Sequence, residues 1–161
     1  MAILVWKTRL EDIPEIVTRI TSINNKMVEN SPLFQNQVGE ILEFLNNPSE
    51  HTYFVAHNGD NFDFIILREH LTYCGYNLNN MPIRSIDTLL LAKKMYPHLK
   101  KHSLSQLCIQ LGCGVNNAHR AEADTQMVKN LYHYIINDLA NIYGSTPEEL
   151  LNNPELVYNY I

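Results

Sequence analysis

Along most of the chain the apolar positions recur three or four residues apart, the period of a helix with one buried face. Phe34, Val38, Ile41 and Leu45 form one such stripe. It follows Ser31-Pro32, a capping residue and a proline at the first helical position, and Pro48 ends it. The run Thr52 to Ala56 breaks the period. These residues are mostly apolar and β-prone without alternation, the pattern of a strand buried on both faces in a parallel sheet. The polar segment His57-Asn58-Gly59-Asp60-Asn61 follows, and helical spacing then resumes through Phe64, Leu67, Leu71 and Cys74. The chain therefore turns from strand to helix across that polar segment.

The same reading predicts a short strand at Ile3 to Trp6, an irregular stretch from Leu10 to Val28, and a further strand at Pro82 to Ile86. Asp87-Thr88 would cap a helix that stops near Pro97. Ser103 with Gln106 has the capping-box pattern and opens a helix ending at Gly112. A long helix follows Asn117 and runs to about Ile142, and Thr146-Pro147-Glu148-Glu149 opens a short terminal one. Strands joined by helices imply an α/β fold. At 161 residues and 45% hydrophobic, the chain is expected to form a single domain, 1–161, with a core of its own.

Composition narrows the class. Cys74, Cys108 and Cys113 are an odd number without Cys-x-x-Cys spacing, which fits a reduced protein better than a disulfide scaffold or zinc site. No apolar run approaches membrane-spanning length, and the N-terminal apolar stretch is too short for a signal peptide. A soluble intracellular protein, cytoplasmic or nuclear and not bound to a membrane, is expected. The net charge of −5 does not advertise nucleic-acid binding, although carboxylates gathered around cations would push the total this way. The densest basic cluster is Lys93, Lys94, Lys100 and Lys101 with His98 and His102. It is either a solvated surface or a place where phosphates are met.

Two carboxylates stand out. Asp63 falls in the first helical turn beside a strand end, where ligand sites of open α/β sheets collect. Its ordinary alternative is a first-turn acid favoured by the helix dipole. Asp124, in His119-Arg120-Ala121-Glu122-Ala123-Asp124, begins the stripe Val128, Leu131, Ile135, Leu139 and Ile142 and so faces the core side of its helix. Burying a lone carboxylate costs on the order of several kcal/mol, so a metal ion, a basic group or an open cleft must compensate it, unless the helix end reaches water. His119 lies five residues earlier, on the loop leading to the same helix. Asp87 reads simply as a helix cap.

Together FVAHNGDNFDFIILREHL and HRAEAD resemble the second and third motifs of the DnaQ-like (DEDDh) 3′→5′ exonucleases, in wording closest to the three-prime repair exonucleases. SIDTLLLAKKMYP and HSLSQLCIQLG resemble the connecting elements, so the likeness covers roughly residues 10 to 140. The resemblance implies a ribonuclease H-like mixed sheet flanked by helices, and a metal-dependent exonuclease hydrolysing phosphodiester bonds at single-stranded DNA or RNA 3′ ends. It makes Asp63 and Asp124 metal ligands and His119 the general base. Two Mg²⁺ or Mn²⁺ ions would stabilise the attacking and leaving oxygens. His57 and Asn58 would help hold the terminal nucleotide, or else form a hydrogen-bonded turn. The family's first motif, an Asp-x-Glu on the first strand, has no counterpart before Thr52. The expectation is therefore a domain that lacks the first strands and cleaves weakly or not at all by itself. The other reading is a catalytically disabled exonuclease-fold remnant that binds nucleic acid or a protein partner.

Overall fold

The computed structural model describes residues 12–45, 52–114 and 121–160. The predicted strand at Ile3 to Trp6, the residue His119 and the onset of the long helix near Asn117 lie outside them. The chain divides into two compact units, Met1–Thr52 with Ile66–Ile83, and Tyr53–Ile65 with Arg84–Ile161.

In the first unit, helix α1 (Glu15–Thr21) and the single turn α2 (Asn25–Val28) occupy the stretch that apolar spacing reads as irregular. Local signals make them. Pro14 presets the entry to α1, and Glu15 pairs with Arg19 one turn on at 2.6 Å. Asn24 caps α2 by accepting from the Met27 amide at 3.1 Å. Neither device leaves a periodic apolar stripe, and Ile16 and Met27 are about six-tenths exposed (62% and 61%). Helix α3 (Phe34–Leu45) begins two residues beyond Pro32 and buries Phe34, Ile41 and Leu45, three of the four predicted positions. Val38 is only half-buried.

Strand β1 (Thr52–Ala56) stands where the apolar run places it, but its residues are half-buried throughout rather than enclosed on both faces. Strand β2 (Ile83–Asp87) lies beside it. The Thr52 amide donates to the Pro82 carbonyl at the strand starts, and the Thr88 hydroxyl donates to the Ala56 carbonyl at their ends. The two strands therefore run parallel, joined by helix α4 (Asp63–Tyr73). Of the apolar stripe predicted for α4, only Leu71 is fully buried.

The core of the second unit gathers Ile86 of β2, Leu91 and Ala92 of α5 (Thr88–Met95), and Leu107 and Cys108 of α6 (Leu104–Leu111). Against these lie Met127, Leu131, Ile135, Ile136 and Leu139 of the long helix α7 (Ala121–Tyr143). Leu150 of α8 (Pro147–Asn152) and Val157 of α9 (Pro154–Tyr160) complete it. Ile142, the last residue of the predicted stripe, is 62% exposed, because the stripe drifts around α7 and the core-facing side passes to Leu139 and Ala140. Ser103 precedes α6 but makes no side-chain cap, so the capping-box pattern there is not used. Thr146 and Glu149 do form a reciprocal capping box at α8. The terminal segment is two helices rather than one, α9 being held by the Arg84–Glu155 ion pair and by Arg84 over the Tyr158 ring at 5.4 Å. No helix among the described residues is long and apolar enough to cross a membrane.

Candidate active site

The turn after β1 carries Asn58 and Gly59 and leads to Asp63. Asn58 takes the left-handed conformation (φ 65°), open to asparagine at modest cost. Gly59 follows with no room for a side chain, since a Cβ there would lie 2.5 Å from the Ala56 Cβ. Gly59–Asn61 then make one 3-10 turn, closed by the Asn61 and Phe62 amides bonding the Asn58 and Gly59 carbonyls, and Asp63 stands at the first position of α4.

Three tethers fix the turn to the start of α5. The Asn58 amide donates to Asp87 Oδ1 at 2.8 Å, and the Leu89 amide donates to the same oxygen at 2.8 Å. Thr88 bonds the Ala56 carbonyl. The His57 ring spans the third link, with Nδ1 3.0 Å from Thr88 Oγ1 and Nε2 2.8 Å from the His102 carbonyl. Burial pushes the His57 pKa below the ordinary histidine range, against the His102 carbonyl and the Asp87 charge, which pull it up. A neutral ring carries its proton on Nε2, because the His102 carbonyl can only accept, and the single Thr88 hydroxyl proton is then divided between the Ala56 carbonyl and His57 Nδ1. Both ring nitrogens are engaged inside the protein, so His57 holds the turn in place.

Asp63 remains exposed as a residue, while the chain around its carboxyl raises its pKa by desolvation. The Asp87 charge raises it further, and a bond from Asp63's own amide works the other way. With solvent at hand the effect on stability is small. Its meaning is positional: two carboxyl groups face one electrostatic neighbourhood at the joined ends of β1 and β2. Sequence reasoning assigned Asp87 to capping, which is correct and incomplete. It is 2% exposed, and its Oδ1 also anchors the turn that carries Asp63.

Asp124 lies in the first turn of α7, half-buried, one turn ahead of Met127 and Val128 on the core-facing side. It belongs to the same compact unit as Asp63, His57, Asn58 and Asp87. The carboxylates of Asp63 and Asp124 are hard oxygen groups, the donor type that Mg²⁺ and Mn²⁺ prefer. Among the described residues, however, no group of three or more His, Cys, Asp or Glu side chains stands where it would hold a metal ion. These residues alone do not complete a metal centre.

Of the basic cluster, Lys93, Lys94, Lys100, Lys101 and His98 are exposed, and His102 is half-buried with Nε2 3.0 Å from the Tyr96 carbonyl. Lys94 bonds the Tyr160 carbonyl and lies over the Tyr160 ring at 4.7 Å, so α9 engages it.

Residues 1–132 match the exonuclease family of the RNase T type. DNA polymerase III PolC-type of Mycoplasma genitalium is 33% identical over 143 residues, covering 88% of this chain and 9% of that protein. The 3′-5′ exonuclease DinG of Staphylococcus haemolyticus is 36% identical over 113 residues, covering 70% and 12%. DinG of Bacillus subtilis is 27% identical over 140 residues, covering 87% and 14%. The chain thus spans about a tenth of the length of these relatives. Among solved structures, Exonuclease X in complex with 5′ overhanging duplex DNA is similar with a TM-score of 0.58 at 24% identity, covering 88% of this chain and 74% of that one. That likeness concerns the fold.

Proposed function

This chain belongs to the DnaQ-like 3′-5′ exonuclease family, and we propose that its own chemistry is the hydrolysis of phosphodiester bonds at the 3′ ends of single-stranded DNA or RNA. Exonucleases of this family use divalent metal ions. In the proposed reading Asp63 and Asp124 are the carboxylates for Mg²⁺ or Mn²⁺, which when bound would offset the charge of the phosphoryl oxygens. His119 is the general base, a neutral imidazole taking the proton from the attacking water. Asn58 faces the terminal nucleotide from the tethered turn, with His57 fixing that turn. Exposed Lys100 and Lys101 offer phosphate contacts.

One observation carries the reading: Asp63 opens α4 where the parallel strands β1 and β2 end, with the turn before it held by Asp87 and His57. The second reading is a domain with this fold that binds nucleic acid or a protein partner without cleaving.

Digestion of a 5′-labelled single strand with Mg²⁺ or Mn²⁺ separates them. The 161-residue chain is expected to shorten the strand weakly or not at all. A form carrying a grafted Asp-x-Glu strand upstream of Met1 is expected to produce a ladder, and Asp63→Asn, Asp124→Asn and His119→Ala in that form should each abolish it. A grafted form that folds but leaves the strand intact, or a ladder indifferent to Asp63→Asn, would sink the enzymatic assignment in favour of binding.

A further inference from the structure

The end of α6 brings together two thiols that the exonuclease reading does not use. Gly112 adopts the left-handed conformation (φ 70°), its amide bonds the Ile109 carbonyl, and the Cys113 amide reaches back to the Cys108 carbonyl at 2.9 Å. This pair of bonds is the Schellman arrangement, which places the third residue before the cap and the second beyond it side by side. Here both positions are cysteines. The backbone bond keeps their Cα atoms within about 6 Å by ordinary bond geometry, inside the roughly 4.4–6.8 Å that disulfides span.

Each cysteine is also pinned to α7. Cys108, buried, points its thiol at the Met127 carbonyl at 3.8 Å, and the Cys113 carbonyl accepts from Asn130 Nδ2 at 3.2 Å. Cys113 is partly exposed, and all three cysteines of the chain are free thiols.

We propose that Cys108 and Cys113 form a dithiol modification site that closes to an intramolecular disulfide by exchange with low-molecular-weight disulfides. Cys113, the accessible sulfur, attacks one sulfur of the small disulfide as the thiolate and expels the other as a thiolate. Cys108 then attacks Cys113 Sγ and expels the second small thiol. Two protein thiols are oxidised, one small disulfide is reduced to two thiols, and the two cysteine protons end on those leaving groups. Burial, with the neighbouring Cys113 adding to it, pushes the Cys108 thiol up to about 12, so the second step is the slow one. Closure removes the thiol hydrogen from the Met127 carbonyl, one turn beyond Asp124 on α7.

The test equilibrates the full chain with defined mixtures of reduced and oxidised glutathione, then alkylates, digests with trypsin and weighs peptide 102–120, which contains both cysteines. The expected product is that peptide two hydrogens lighter and unalkylated, with Cys74 still alkylated. The closure constant of the folded chain should exceed that of the same chain in concentrated guanidinium at least tenfold, because the fold preorganises the pair. Cys108→Ser should instead accumulate the mixed disulfide on Cys113. Equal constants folded and unfolded, or a wild-type chain that stops at the mixed disulfide, would overturn the proposal.

Discussion

A single oxygen of Asp87 accepts the amide of Asn58 across the strand ends and the amide of Leu89 at the helix start. Removing it loses a helix cap and leaves a second donor unpaired. Asp87→Ala is therefore expected to destabilise the chain by about 2–4 kcal/mol in urea unfolding. Asp87→Asn, which keeps an acceptor, should lose clearly less. If the alanine variant unfolds at the wild-type midpoint, the tether carries no weight. His57 makes a pH prediction with a definite sign. Its folded pKa is depressed, so as pH falls the unfolded chain takes up the proton first, and the stability contribution present above about pH 6.5 drains away below it. Unfolding free energy measured from pH 7.5 to pH 5 should fall, and His57→Gln should flatten the fall. At this scale the sequence placed Asp63 in a first helical turn, His57 in the polar turn before it and Asp87 at a helix cap. The links from His57 to Thr88 and to the His102 carbonyl join residues 31 and 45 positions apart, and nothing local announces them.

Helix α7 shows how far a periodic stripe carries. Leu131 and Ile135 are fully buried, as their spacing from Asp124 requires, while Ile142 at the end of the same stripe stands in solvent. Leu131→Ala should lower stability by about 2–5 kcal/mol by opening a cavity. Ile142→Ala should stay within about 0.5 kcal/mol of wild type. Equal losses at the two positions, by chemical denaturation, would mean that the core extends along the whole helix. Capping was only half legible. Thr146 with Glu149 and Ser103 with Gln106 carry the same pattern, yet only the first closes its box, because whether a side chain turns back on its own helix depends on what else surrounds it. The helices at Glu15–Thr21 and Asn25–Val28 escaped the periodic reading since they rest on a proline, an asparagine cap and an exposed ion pair.

Across the whole molecule, burial is uneven between the two compact units. Fully buried side chains concentrate in the second, from Ile86 through Leu139 to Val157, whereas α1 of the first unit has no side-chain cap and exposes Ile16. Amide hydrogen exchange should follow this division. Amides from Leu131 to Ala140 are expected to open only with global unfolding, and those of α1 at least roughly a hundredfold faster, a difference of ~3 kcal/mol or more in local stability. Uniform protection across both segments would contradict it.

By itself the sequence determined the α/β class, the strand at Thr52 to Ala56, the second strand to within a residue, a helix with Asp63 in its first turn, a terminal helix opening at Thr146-Pro147, and the helix end at Gly112, because local spacing and capping chemistry act over a few residues. The same short-range signals, read as a resemblance, pointed to the exonuclease family that the match over residues 1–132 bears out. Only the tertiary structure decided that β1 is half-covered, that Asp87 anchors the turn before Asp63, that the His57 ring is spent on internal bonds, and that Cys108 and Cys113 meet at the end of α6. These depend on which distant groups arrive at the same place, and the free energy of such contacts belongs to the folded arrangement rather than to any stretch of chain.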